Sequence, residues 1–338
     1  MKDSPLRILI TVDAGRTPNG PVLPHVYSTQ IEFLQQSNNL VRVFGIDSRT
    51  SPFGILRNLR ELKAEIANFY PDLIVAYYGT MVAAVTRCAA GPLPMVVTFR
   101  GSDWLGSANP GPYWWVRDRI GSLLSFWAAR GARQIAVNGG ELAESLPAGL
   151  KKKATNLPNG IDTRVFRPIS REDARRQLGW EAAPKVILFN AGIGSGQVVK
   201  NLPLAEEVVQ ILKSWSQDVR LEKVSTYSRE QVCLRMNATD CLLVTSLHEG
   251  SPDLVKEAMA CNLPVVSVPC GDISERMEGV FPGYICKYDP GELSKAVGRV
   301  LSSGLRSNGR EQLFAQGLDI KSVIQRVLAV YHRAVAGQ

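Results

Sequence analysis

Short apolar runs recur along the chain, each followed by a polar turn and then by a stretch whose apolar positions return every three or four residues. Residues 6–12, 41–45, 73–77 and 95–99 are such runs in the first half, and 185–190, 219–224, 241–245, 264–269 and 283–286 in the second. Their unbroken Val, Ile and Leu content predicts strands buried on both faces. Residues 25–36, 55–69, 81–90, 170–178, 202–215, 228–237, 251–262, 290–301 and 310–336 have the helical period. Strands alternating with helices predict an α/β protein with two doubly wound parallel-sheet domains, 1–168 and 169–310, the second beyond a linker at 164–173, and a last helical segment 311–338.

Composition narrows the classes. The chain has 338 residues, 45% of them hydrophobic and 21% charged, enough for two cores. No run reaches the roughly 18–20 apolar residues that cross a bilayer, and the first residues lack a signal-peptide core, so a cytoplasmic protein is expected. Six cysteines form no Cys-x-x-Cys pair and lie mostly in apolar runs, which predicts buried thiols. With three histidines and neither His-x-x-x-His nor Asp-x-Asp, no metal and no cofactor are expected. No Gly-x-Gly-x-x-Gly follows the first strand, and the later Gly192, Gly194 and Gly196 are followed by Gln197, which speaks against a dinucleotide dehydrogenase.

The net charge of +8 favours polyanions. No zinc finger, KH loop or RRM signature accompanies it, so nucleic acid is not an expected partner. Residues 104–133 instead gather Trp104, Trp114, Trp115, Arg117, Arg119, Trp127, Arg130 and Arg133 around an apolar helix, and 151–153 are three lysines. Tryptophan and arginine beside an apolar body suit the headgroup level of an anionic membrane surface, so peripheral attachment on the inner membrane face is expected. Core packing is the competing reading for Phe126 and Trp127.

The densest chemistry lies between Asp240 and Arg276. A strand at 241–245 runs into a turn holding His248, Glu249 and Gly250; Ser251-Pro252 reads as the cap and first residue of a helix, and a second strand follows. Such a crossover is right-handed and parallel, with ligands at the carboxyl ends of the strands. Glu249 on the loop and Glu257 in the helix can border one ligand without touching. Between them the free amides of the helix start carry about +0.5 of an elementary charge, a seat for a phosphate. A ligand with sugar hydroxyls, a diphosphate and a ribose fits this set.

The run H-E-G-S-P-D-x-x-K-E-A-M-A-C-N-L-P-V-V, residues 248–266, resembles the Glu-x7-Glu signature of family-4 glycosyltransferases. That resemblance implies the GT-B fold: two Rossmann-like domains with a cleft between them, the first on the acceptor side, the second binding the nucleotide-sugar donor, and the final helix packing back on the first. It also implies that Glu249 contacts hydroxyls of the donor sugar, that Glu257 binds the ribose, and that Gly250, Ser251, Pro252 and Asp253 face the diphosphate and sugar. Asp253 departs from the Asn or aromatic residue more usual there.

Further segments extend the likeness. V-V-T-F-R-G-S-D, residues 96–103, resembles the place where the family sets a His or Arg, a Gly and an Asp beside the reacting sugar. Arg100 cannot act as a base near neutral pH, so it is expected to hold phosphate or hydroxyls, leaving Asp103 as the acid/base candidate there, with a helix-capping role as its alternative. Gly20, after Asn19, stands for the family's glycine loop near donor phosphate and acceptor. Lys200 looks like the lysine on the donor phosphate, while Ser195 replaces the arginine usual five residues earlier. Asn159-Gly160-Ile161-Asp162 resembles the segment closing the first domain, its Asn-Gly pair making a tight turn. The chain thus reads as a metal-independent, retaining glycosyltransferase that moves a hexose-type sugar from a nucleotide-diphosphate sugar to a glycan or lipid-linked acceptor. A non-catalytic nucleotide-sugar binding subunit, or another sugar-nucleotide enzyme on the same fold, is the alternative.

Overall fold

The computed structural model describes residues 5–17, 20–21, 23, 25–106, 111–180, 184–192 and 196–337. They form two compact units, Met1–Gly160 with Lys321–Gln338, and Ile161–Ile320.

The first unit runs β1 (Arg7–Val12), β2 (Arg16–Thr17), β3 (Gly20–Pro21), α1 (His25–Gln36), β4 (Leu40–Gly45), α2 (Pro52–Phe69), β5 (Leu73–Tyr77), α3 (Thr80–Ala90), β6 (Met95–Phe99), α4 (Ser102–Leu105), α5 (Pro112–Gly131), β7 (Gln134–Val137), α6 (Gly140–Ser145), α7 (Ala148–Lys151) and β8 (Ala154–Asn156). Its main sheet has six strands ordered β4-β1-β5-β6-β7-β8, all parallel, with β2 and β3 a separate antiparallel pair. All of β5 and β6 is buried, as their unbroken apolar runs require, whereas β4 at the edge is partly exposed. Two of these strands, β7 and β8, have no counterpart among the sequence runs: each is short, and their Gln and Asn blur the apolar signal. Helix α2 begins at Pro52, earlier than the periodicity alone indicates, because the Ser51 side chain accepts from the Gly54 amide and caps it.

The second unit contains α8 (Arg171–Leu178), β9 (Lys185–Asn190), α9 (Gly196–Val199), α10 (Leu202–Ser214), β10 (Val219–Val224), α11 (Arg229–Ala238), β11 (Cys241–Val244), α12 (Asp253–Ala260), β12 (Val265–Ser267), α13 (Ile273–Arg276), β13 (Gly283–Ile285), α14 (Pro290–Ser303) and α15 (Gly309–Ala315). Its parallel sheet is ordered β10-β9-β11-β12-β13. Phe166 is buried in this unit's core, and the chain enters and leaves side by side, Ile161 bridging to Asp319.

The long helical stretch expected near the end is two helices. Gly317, at φ 62°, breaks it, and α16 (Ile320–Ala336) follows. From Lys321 on, α16 belongs to the first unit. Val323, Val327, Val330, Tyr331 and Ala334 are buried along one face, and the Tyr331 hydroxyl lies 3.4 Å from that of Tyr77.

Candidate active site

In the second unit the strand order reverses at β9, with β10 on one side and β11 on the other. At such a reversal the connecting loops part to opposite faces and leave a crevice outside the carboxyl ends. Lys200 follows β9 through α9, and Glu249 follows β11. The two loops are stitched together: the Thr245 hydroxyl lies 2.9 Å and 3.0 Å from the Lys200 and Asn201 carbonyls, and the Leu247 amide donates to Val199 at 2.8 Å. Lys200 Nζ consequently pairs with Glu249 Oε1, and Ser246 Oγ donates to that same oxygen at 2.8 Å. The lysine and glutamate are 17% and 16% exposed, so the pair is reachable yet partly desolvated.

The loops leaving β12 and β13 buttress the Glu249 loop. Asp272 donates its amide to the Gly250 carbonyl at 3.1 Å, and the Tyr288 hydroxyl donates to the Ser246 carbonyl at 2.8 Å. Burial, reinforced by the Glu249 charge, pushes the Cys270 thiol up to about 11, so it stays neutral.

Helix α12 begins one residue later than the sequence indicates. Pro252 is its cap and provides no side-chain cap bond, whereas Ser251 Oγ lies 3.3 Å from Lys256 Nζ. Lys256 Nζ also pairs with Asp253 Oδ1 at 2.9 Å. Glu257, the next residue, reaches the surface with part of its side chain. Packing around its carboxyl nevertheless pushes it up to about 8, chiefly by burial and then by the Asp253 charge. The elements thus bring Lys200 to Glu249, and Ser251 and Asp253 to Lys256. Lys256, Ser246, Tyr288 and the glycine at 271 escaped the sequence reading. Only Lys256 had a local signal, an Asp three residues before a Lys on one helix.

In the first unit the turn after β5 is strained: Tyr78 has φ 124° and Thr80 φ 52°. Asp103 holds it. This carboxylate is 1% exposed; Oδ2 accepts from the Gly79 amide at 2.7 Å, and Oδ1 from the Arg100 and Gly101 amides, both at 2.9 Å. Burial raises its pKa against those amides. With both oxygens engaged in the interior, Asp103 is a loop organiser. The N-cap of α4 is Gly101, with no side-chain cap bond, so the capping alternative does not describe Asp103; its carboxylate instead ties the turns after β5 and β6 together.

Arg100 is differently placed. One terminal nitrogen donates to Asn159 Oδ1, and the guanidinium lies 5.0 Å from the Tyr27 ring centroid. Its buried Nε has no hydrogen-bond partner among the described residues. Gly20 lies in β3 opposite Thr17, while Asn19 and Ser195 fall outside the described residues.

The basic and aromatic segment resolves into distinct roles. Phe126 is half-buried against Trp104, and Trp114 is half-buried with Arg117 stacked 4.2 Å from its ring. Tyr113, Val116, Ile120, Leu123 and Trp127 are exposed along α5 at spacings of three and four. The lysine cluster is largely engaged: Lys151 pairs with Glu144 at 2.6 Å, and Lys153 donates to the Ala132 carbonyl at 2.6 Å. Among the described residues no helix is long and apolar enough to cross a membrane.

Comparison with known proteins places this architecture. Residues 20–165 match the family described as Glycosyltransferase Family 4, and 193–303 match Glycosyl transferases group 1. D-inositol 3-phosphate glycosyltransferase of Mycolicibacterium vanbaalenii is 24% identical over 211 residues, 52% of this chain and 47% of that protein. The Bacillus subtilis protein named as the teichuronic acid biosynthesis glycosyltransferase TuaC is 24% identical over 228 residues, 61% and 55% of the two chains. The matched part thus spans about half the length of these curated relatives. Among solved structures, sucrose-phosphate synthase from Thermosynechococcus elongatus superposes with a TM-score of 0.76 at 16% identity, covering 98% of this chain and 100% of that one. Anabaena HepE in complex with UDP and glucose superposes with a TM-score of 0.69 at 16% identity, covering 97% and 99%. With both halves matched in sequence and nearly the whole chain matched in fold, the protein belongs to glycosyltransferase family 4 and has the GT-B fold.

Proposed function

We propose that this protein is a metal-independent, retaining glycosyltransferase that takes a sugar from a nucleotide-diphosphate sugar and delivers it to a glycan or lipid-linked acceptor. The observation that carries this reading is the meeting of Lys200 and Glu249 outside the carboxyl ends of β9 and β11, beside the start of α12. Glu249 accepts from hydroxyls of the donor sugar, Glu257 holds the ribose, and the amides after Gly250 face the diphosphate. When the sugar C1–oxygen bond breaks, charge grows on the departing diphosphate, and Lys200 with the helix start stabilises it there. The acceptor hydroxyl attacks C1 from the same face and gives its proton to the leaving phosphate oxygen, so no protein nucleophile is needed. Arg100 orients hydroxyls or phosphate through its guanidinium charge.

Release of nucleotide diphosphate tests the reading. A transferase releases it only when an acceptor is added, while a binding subunit holds the donor and releases none.

The acceptor reading extends to where the enzyme works. Exposed apolar side chains on α5, with Arg117, Arg119 and Arg130 on the same helix, favour a peripheral position on an anionic membrane at the cytoplasmic side, where a lipid-linked acceptor would be met. Beside the start of α5 is a cavity of about 640 Å³ lined by Trp104, Trp115, Arg119 and Leu123 among others.

A further inference from the structure

Lys256 has no surface exposure, an unusual place for a lysine, and its ammonium contacts groups at the beginning of its own helix, among them Asp253 Oδ1 at 2.9 Å and Ser251 Oγ at 3.3 Å. Asp253 itself is 28% exposed and occupies the first position of α12. A carboxylate there is attracted by the free amides of the helix start, and it competes for them with any anionic ligand. It also repels a diphosphate seated beside it. A buried cation bonded to that carboxylate cancels the repulsion and ties the loop residue Ser251 to the helix.

We propose that Lys256 is a positioning residue for donor binding, whose buried ammonium neutralises Asp253 and so keeps the start of α12 open to the donor diphosphate. This rests on the donor reading given above. It assigns a use to the aspartate that departs from the family's usual residue: Asp253 and Lys256 act as one neutral unit, and neither is understood alone. Losing only the lysine leaves a negative charge beside the diphosphate. Losing only the aspartate leaves a positive charge, and losing both restores neutrality.

The order of affinities therefore follows charge. Titration calorimetry of UDP, GDP and ADP identifies the diphosphate that wild type binds, and that probe is then used on Lys256→Met, Asp253→Asn and the double variant. Lys256→Met is expected to bind it at least 30-fold more weakly than wild type. Asp253→Asn is expected to bind it more tightly than wild type, and the double variant within threefold of wild type. A double variant as weak as Lys256→Met would overturn the proposal, because the loss would then come from packing. Equal affinity of Lys256→Met and wild type would overturn it as well. If Lys256→Met does not fold, the comparison of Asp253→Asn with wild type decides: weaker binding by Asp253→Asn contradicts the charge argument. Glu257→Ala separates this from the donor reading. If that variant binds the diphosphate as wild type does, the donor site lies elsewhere and both fall; if it loses binding while Lys256→Met keeps it, only the role of Lys256 falls.

Discussion

Gly271 lies against Gly250 so closely that a Cβ on it would stand 2.4 Å from the Gly250 carbonyl oxygen and 2.7 Å from that of Glu249. Its φ of 55° adds a conformation that side chains disfavour. Both obstacles are backbone and cannot swing away. Gly271→Ala is therefore expected to cost about 2 kcal/mol or more of stability and to displace the loop that carries Glu249. Urea unfolding together with donor titration checks this; a variant matching wild type in both would show that the two loops are independent.

The carboxyl of Glu257 gives stability a defined pH dependence. Folding raises its pKa from 4.5 to about 8. Below about pH 4.5 both states are protonated and the group contributes nothing. As pH rises towards 8 the unfolded chain ionises first, so stability falls, by up to a few kcal/mol once pH passes the folded value. Glu257→Gln removes that loss. Relative to wild type the variant should gain stability between pH 5 and pH 9 in urea melts, and a difference that stays constant across this range would contradict the assignment.

Asp103→Asn separates a loop-organising role for the aspartate from an acid/base role. The amide can replace one oxygen as acceptor but turns a donor towards an N–H group now held by the other. A loss of about 1–3 kcal/mol in stability is expected. Residual turnover should keep the wild-type pH profile, whereas a general base would leave its mark by shifting or flattening one limb.

How far the sequence was legible follows from the same residues. The buried strands announce themselves because a parallel strand covered on both faces can hold only apolar residues. Glu249, Glu257 and Lys200 were visible as motif positions. Contacts formed between distant loops were not: the Gly271 approach to Gly250 and the Tyr288 bond to Ser246 exist only once β11, β12 and β13 lie side by side. The three backbone amides that Asp103 accepts from were equally out of sight, because they come from two turns that meet only in the fold. Lys153 likewise reads as a surface charge, yet its ammonium binds carbonyls at the end of α5.

Membrane attachment is tested by co-sedimentation with phosphatidylglycerol vesicles. Binding is expected at low salt and should fade as the Debye length shrinks from about 10 Å at 0.1 M to about 3 Å at 1 M. Trp115→Ala combined with Leu123→Ala should abolish it, while replacing Lys151 and Lys153 should matter less, since their ammonium groups are already bonded. Sedimentation unaffected by the α5 changes would return that helix face to another partner.

The central claim is that Lys200 and Glu249 mark the place where a sugar leaves its diphosphate, and Lys200→Ala measures it most directly. With the donor and acceptor that wild type uses, turnover at saturating donor should fall on the order of 100-fold or more, because the lysine acts mainly on charge that develops in the transition state. Donor affinity should fall far less, and Lys200→Arg should recover part of the rate. A Lys200→Ala enzyme that keeps its turnover and loses only donor affinity would contradict the account.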